Sequence, residues 1–198
     1  MSSQSENVDL SALRSDISSE DDLQHYIATG MEQNGWTALR EVKTAFDNYR
    51  ADIIGHKDCI GAIGIECKYV TGGPIVAAEA ARQIIDKYAG RKFVNWRVDM
   101  WAVCLYGRAF KPADERNTDS EYRRGLDRGS ISTSKRILNG LGVGFTTGYA
   151  DRVNIEFLPS GRGVQIPLFQ AEGDMPDRFS EQFDRQRVLE LIDDRRPE

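Results

Sequence analysis

The sequence RADIIGHKDCIGAIGIECKY at residues 50–69 contains the strongest structural signal in the chain. Two apolar runs of strand length, residues 50–56 and 62–70, stand on either side of a polar His-Lys-Asp turn that has a glycine near each end. Short apolar runs bounded by turn residues are typical of buried strands. We therefore predict two neighbouring strands that pair like a hairpin.

Three charged side chains in this segment are expected to meet. Because side chains alternate along a strand, Glu66 and Lys68 point to one face of the second strand and Cys67 points to the other. Pairing with the first strand brings Asp52 alongside them. The segment therefore predicts a polar pocket of two acids and one lysine at the edge of an apolar sheet.

The sequence before this segment predicts a helix and another strand. Within residues 19–34 a serine precedes an acidic first turn, and Leu23, Ile27 and Met31 recur at every fourth position. Asn34-Gly35 is a normal end for such a helix. Alternating side chains at residues 37–44 then indicate a strand.

The sequence after the segment continues the alternation of helices and strands. Residues 74–90 are alanine-rich, begin with proline and end on glycine, which is typical of a helix. Residues 100–107 form a continuous apolar run that predicts a strand covered on both faces. We expect a further helix at 130–142 and a late hairpin around 160–163, whereas 110–129 is read as a loop or a marginal helix. This order predicts an α/β sandwich with a central mixed sheet.

The predicted pocket suits metal-dependent hydrolysis. Mg²⁺ binds through one or two carboxylates together with water and substrate phosphate, and Asp52 and Glu66 supply the carboxylates. The backbone carbonyl of Cys67 is a reasonable third oxygen ligand. Lys68 is placed to orient a metal-bound water and to offset charge on a phosphate. Its two acidic neighbours favour the charged ammonium over a neutral general base.

With its flanking helices, the pattern RAD-x13-ExK resembles the PD-(D/E)xK, or restriction-endonuclease-like, nucleases. The resemblance covers roughly residues 18–107, with Ala51 at the variable proline position. It is closest to archaeal-type Holliday-junction resolvases and Mrr-type restriction endonucleases. The resemblance implies a restriction-endonuclease-like α/β/α sandwich with a central mixed β-sheet. It also implies phosphodiester hydrolysis in DNA with Mg²⁺, or alternatively Mn²⁺.

The same resemblance implies two further site residues. Many such nucleases carry a glutamate on the first helix that reaches the metal, and Glu20 is the candidate, although the resolvase position measured from Gly35 falls on Gln24. Glu20 could equally complement the helix dipole. Gln83 corresponds to a glutamine that holds the site in a Q-x3-Y pattern. In this sequence four residues, not three, separate Gln83 from Tyr88, and we expect Tyr88 in the core.

Charge is distributed unevenly along the chain, whose net charge is −5. Residues 1–34 carry one Arg against seven acids and residues 171–198 carry five Arg against nine acids, whereas residues 82–136 carry thirteen Lys or Arg against seven acids. The basic middle is a plausible phosphate-facing surface, and a solvated face of mixed charge is the alternative.

We predict three regions: an acidic, disordered leader at 1–18, a nuclease domain at 19–170 and an acidic tail at 171–198 in which an amphipathic helix is one option. The three cysteines form no CxxC pair, which makes a zinc site improbable. The N-terminus does not resemble a signal peptide and no segment could span a membrane, so we expect a cytoplasmic protein.

Several functions remain open at this level. The first is a DNA endonuclease, either structure-selective for Holliday junctions or flaps or acting in restriction and defence. A resolvase would ordinarily be a homodimer, because two related strands must be cut. The second is a non-catalytic nucleic-acid-binding module with the same fold, and an RNA-directed nuclease shares the same pocket.

Overall fold

The computed structural model describes residues 8–58, 60–69, 74–93, 96–98, 100–107, 126–148, 152–157 and 164–171, with the backbone alone at 126–131 and 164. The predicted turn at 160–163, most of the polar segment 110–129 and the predicted tail helix lie outside these residues. So do five of the basic residues between 82 and 136, namely Arg108, Lys111, Arg116, Arg123 and Arg124.

The described residues form four helices and seven strands. In chain order these are α1 (Leu10–Ser15), α2 (Glu20–Gln33), β1 (Thr37–Lys43), β2 (Arg50–Lys57), β3 (Gly61–Tyr69), α3 (Pro74–Lys87), β4 (Met100–Tyr106), α4 (Leu126–Gly140), β5 (Gly144–Thr146), β6 (Arg152–Phe157) and β7 (Val164–Gln170). Within the described ranges, no helix has the length and apolar character needed to cross a bilayer.

All seven strands belong to one mixed sheet, in which they lie side by side in chain order. The first three strands pair antiparallel, β3 and β5 both run parallel to β4, and β5 to β7 are again antiparallel. The sheet curls into a half-barrel. The parallel step from β3 to β4 needs a crossover, which α3 supplies. The prediction of a mixed α/β fold with a central mixed sheet is confirmed.

Two glycines show how the two faces of the sheet are covered. Gly55 pairs with Ile63, so it faces the side opposite to Gly64. A Cβ at Gly55 would lie 2.2 Å from Met31 of α2, whereas a Cβ at Gly64 would lie 2.2 Å from the ring of Trp101. That ring stacks on the tyrosine that follows α3. Helix α2 and the end of α3 therefore lie on opposite faces.

The structure adds elements that the sequence patterns do not predict. Residues 10–15 of the expected disordered leader form α1, which Asp9 caps, and Leu10 and Ile17 are buried. Burial of these two apolar side chains stabilises the folded conformation of the segment. Strand β5 has three residues, too few to show a period, and α4 begins at Leu126, four residues before the expected start.

Gly64→Ala should destabilise the protein by about 1 to 3 kcal/mol, because the new methyl group displaces the Trp101 ring in a packed core. Urea unfolding followed by circular dichroism measures the change. Gly140→Ala is the matched control, since nothing lies within 4 Å of its added Cβ. Equal stabilities of the Gly64→Ala variant and the wild type would contradict this description of the packing.

Candidate active site

The candidate site lies where β2 and β3 separate. The antiparallel ladder between these strands ends at the pair Ile53 and Ile65, beyond which β2 pairs with β1 and β3 pairs with β4. Asp52 of β2 and Glu66 of β3 are the next residues beyond this last pair, and we call this point the fork. The Cys67 N–H of β3 donates a hydrogen bond of 2.8 Å to Asp52 Oδ2. The Asp52 carboxylate thus links the strands where their ladder stops.

Glu66 is fully buried and is held by two donors. Its Oε1 accepts hydrogen bonds from Lys68 Nζ at 2.8 Å and from Gln83 Nε2 at 2.6 Å. Lys68 also contacts Glu20 Oε1 at 3.1 Å, so one ammonium bridges β3 and α2. The structure therefore brings together the side chains that the sequence singled out: Asp52, Glu66, Lys68, Glu20 and Gln83.

Tyr88 belongs to the same network, a role that the sequence analysis missed by placing it only in the core. Its hydroxyl accepts a hydrogen bond from Gln83 Nε2 at 2.9 Å and donates one of 2.6 Å to the Arg50 carbonyl. The chain from Glu66 through Gln83 and Tyr88 ends two residues before Asp52. The pairing of Gln83 and Tyr88 near the end of a helix was the available signal, but the spacing did not match the expected pattern.

The two candidate positions on α2 behave differently. Glu20 is the first residue of the helix and reaches Lys68, while Ser19 caps the helix by accepting from the Asp22 N–H. Gln24 is buried one turn later, and its Oε1 has no hydrogen-bond partner within the part of the chain that the structure describes. The acid that touches the pocket is therefore Glu20.

Cys67 contributes its backbone rather than its thiol. Its side chain is fully buried on the other face of β3, beside Cys104 of the neighbouring strand. Burial, together with Cys104, raises the pKa of the Cys67 thiol well above its ordinary value. A thiolate ligand is therefore disfavoured, whereas the carbonyl between Glu66 and Lys68 keeps the chemistry expected of a hard-metal ligand.

Burial and charge set the protonation of the pocket. Burial, together with the adjacent Glu66, raises the pKa of Asp52 to about 7. Burial also raises the pKa of Glu66, against the opposing effect of Lys68. For Lys68, burial lowers the pKa, but Glu66, Asp52 and Glu20 outweigh it and the net shift is upward. The lysine is therefore an ammonium at neutral pH.

The backbone is unusual directly opposite Asp52. Glu41 stands between the pairs Arg40–Ile53 and Val42–Ala51 of the β1–β2 ladder, and its φ is +53°. A non-glycine residue in this region costs on the order of 1 to 3 kcal/mol, and such strain clusters at functional sites. The Glu41 carboxylate lies 3.6 Å from Arg50 of β2. The distortion and the fork thus flank the same aspartate.

The donor atoms of the fork fit a divalent cation. Glu66 Oε2 is buried and has no hydrogen-bond partner among the described residues, which is costly for a carboxylate oxygen. Three carboxyl groups, those of Glu20, Asp52 and Glu66, share one ammonium, so the pocket has an excess of negative charge when all three are ionised. No three His, Cys, Asp or Glu side chains in the described ranges are grouped to hold a metal by themselves. The fit is therefore two carboxylates plus a backbone carbonyl.

Comparison of the chain with models of protein families, with curated proteins and with solved structures finds no match.

Asp52→Asn should stabilise the metal-free protein at high pH. Because the folded pKa of about 7 exceeds the ordinary value of 3.8, the folded state holds the Asp52 proton more tightly than the unfolded state does. Protonation of Asp52 therefore stabilises the folded protein at low pH, and this contribution is lost as the pH rises through 7. We expect a gain on the order of 1 to 3 kcal/mol at pH 8 relative to pH 5. Urea unfolding with EDTA measures it.

Asp58→Asn is the control for this pH dependence, because the Asp58 side chain is fully exposed and its substitution should change stability by less than about 0.5 kcal/mol at either pH. If Asp52→Asn followed the wild type in parallel from pH 5 to pH 8, the raised pKa of Asp52 would be refuted.

Tyr88→Phe should destabilise the protein by about 1 to 3 kcal/mol, because it removes the hydroxyl that donates to the Arg50 carbonyl and accepts from Gln83. Tyr69→Phe is the matched control, since Tyr69 is 41% exposed at the end of β3. Thermal unfolding of both variants measures the difference. A loss that is no larger for Tyr88→Phe than for Tyr69→Phe would count against the network.

Proposed function

We propose that this protein is a divalent-metal-dependent nuclease that hydrolyses phosphodiester bonds in DNA. The observation that carries the proposal is the fork, where two buried carboxylates meet one ammonium and one Glu66 oxygen has no partner among the residues that the structure describes. A buried acidic pair of this kind is costly unless a cation compensates it. Clusters of perturbed ionisable groups are typical of catalytic sites.

We further propose that the chain is a nuclease of the PD-(D/E)xK class with a restriction-endonuclease-like sandwich. The support is the succession α2, β1, β2, β3, α3, β4, with Asp52 on β2 and Glu66 and Lys68 on β3. Helices on opposite faces of the mixed sheet agree with the layered arrangement. The hydrogen bond from Gln83 to Glu66 agrees with the resemblance, which implies that this glutamine holds the site in place.

Asp52, Glu66 and the Cys67 carbonyl are the groups that would hold Mg²⁺ or Mn²⁺, with Glu20 as a further carboxylate at the rim. When bound, such a cation lowers the pKa of water and neutralises charge on the phosphate. The protein contributes the geometry, because the Cys67 N–H fixes Asp52 and the Gln83 amide fixes Glu66.

Lys68 carries the second part of the proposed chemistry. Its side chain is 22% exposed, whereas that of Glu66 is fully buried, so Lys68 is the partner that solvent reaches. Because it stays protonated, it can donate a hydrogen bond to an attacking water and offset the charge that develops on the phosphate. The raised pKa of Lys68 in the metal-free site favours this role over that of a general base at neutral pH.

Lys68→Ala should lower Mg²⁺- or Mn²⁺-dependent cleavage at least about a hundredfold and leave nucleic-acid binding nearly intact, because the lysine acts on the reacting phosphate. Cleavage of labelled duplex, single strand, flap, four-way junction and RNA with and without EDTA measures this. Arg82→Ala is the matched control, since Arg82 is an exposed cation one residue before Gln83.

Two results would overturn the nuclease proposal. One is a Lys68→Ala protein that cuts every substrate as well as the wild type. The other is a wild type that binds DNA in a salt-sensitive way but cuts nothing with either metal, which is the result expected of a binding module. The same panel separates junction or flap cleavage from duplex cleavage, and sedimentation of the wild type tests the proposed homodimer.

A further inference from the structure

The turn that joins β1 to β2 carries the most exposed aromatic side chain in the described residues. We call residues 44–49, with the sequence TAFDNY, the hairpin loop. Phe46 within it is 90% exposed, although a phenylalanine ring gains substantially from burial. A ring left in water at one defined position needs an explanation from function when its neighbourhood is ordered.

The hairpin loop is held in place by several contacts. Thr44 Oγ1 donates a hydrogen bond of 2.6 Å to the Asp47 carbonyl, and the Ala45 N–H donates one of 2.9 Å to the Lys92 carbonyl. Asp47 also forms an ion pair with Arg91. The residues on either side of Phe46 are therefore tied down. Phe46 is presented by a fixed loop, so its exposure does not come from a loose chain.

The hairpin loop lies at the same end of the sheet as the fork. It leads directly into Arg50, whose carbonyl accepts a hydrogen bond from the Tyr88 hydroxyl of the site network. At about 3.3 Å per residue along a strand, the Cα of Tyr49 is roughly 10 Å from that of Asp52. One strand of a duplex rises about 3.4 Å per nucleotide, so the end of the hairpin loop lies within a few nucleotides of the fork.

Positive charge surrounds the hairpin loop. Residues 41–50 and 87–92 together contain five cations, Lys43, Arg50, Lys87, Arg91 and Lys92, against the two acids Glu41 and Asp47. This net charge of +3 contrasts with −5 for the whole chain. Lys87 and Arg91 also cover the ring of Tyr49, at 6.0 Å and 5.1 Å from its centroid.

We propose that the hairpin loop is a stacking platform for an unpaired base, so that the protein prefers single-stranded or locally unpaired nucleic acid next to the bond it cuts. The inference rests on the proposed nuclease function and names the form of its substrate. Every base has an aromatic face that can stack on Phe46, whereas in an intact duplex that face is already covered. The surrounding cations would contact the phosphates on either side.

A second copy of the chain is the competing occupant of this surface. A self-complementary dimer patch brings like charges together around its axis, and the five cations beside Phe46 would then repel their own copies. A polyanion has the opposite sign. The charge around the hairpin loop therefore favours nucleic acid over a second copy.

The test is binding in EDTA, where no cleavage occurs, to three labelled oligonucleotides: a single strand, a duplex with a central mismatch and a fully paired duplex. Phe46→Ala should weaken binding to the first two about tenfold and to the paired duplex less than twofold. Phe46→Trp should retain the wild-type affinities because it keeps a stacking surface. Fluorescence anisotropy measures all three.

Leu39→Ala is the matched control, because Leu39 is an exposed apolar side chain on β1, outside the hairpin loop, and is paired with Ile54. It should bind all three oligonucleotides like the wild type. Wild-type affinities for Phe46→Ala, or an equal loss on all three, would overturn the inference. So would a wild-type dimer that Phe46→Ala converts to a monomer with a parallel loss of affinity.

Cleavage of the same oligonucleotides with Mg²⁺ or Mn²⁺ separates the two proposals. A wild type that never cuts but shows the Phe46-dependent preference would overturn the nuclease and retain the stacking platform. If the wild type cuts and the Phe46→Ala variant keeps the same preference among the oligonucleotides, the nuclease is retained and the platform is overturned.

Discussion

Two buried carboxylates have to be accommodated where β2 and β3 separate, and much of the surrounding structure meets that requirement. Asp52 accepts the Cys67 N–H at 2.8 Å, and Glu66 accepts from Lys68 and Gln83. Each donor offsets part of the cost of removing a charge from water. Within the described part of the chain Glu66 Oε2 has no partner, so these donors compensate the pair only in part.

The groups that hold this pair come from separate parts of the chain. Glu20 begins α2, and Lys68 is the last residue but one of β3. Gln83 lies in the second half of α3 and donates to Tyr88, whose hydroxyl donates to the Arg50 carbonyl of β2. Helices α2 and α3 therefore each contribute a side chain to the fork, Glu20 and Gln83 respectively. Such a site is rigid because the scaffold elements, and not a loop, position its side chains, which is the arrangement that electrostatic catalysis favours.

The proposed substrate preference follows from what lies at the same end of the sheet. Phe46 stands in water on an ordered loop, and the loop begins and ends within the β1–β2 pairing that also contains Asp52. Local positive charge there outweighs the acidic character of the chain as a whole. Affinity through phosphates and selectivity through an unpaired base are separate physical contributions, so one compact surface could supply both without reading sequence.

Local periodicity accounts for the features that could be predicted from the sequence. Alternation along β3 was sufficient to place Glu66 and Lys68 on one face, and the turn between the two apolar runs predicted their antiparallel pairing. Tertiary structure alone decided that Glu20 contacts Lys68 while Gln24 does not, that Tyr88 completes the Gln83 contact, and that residues 10–15 form a helix. These outcomes depend on the position of each helix against the sheet. Many weak long-range contacts set that position together, and no window of sequence contains them.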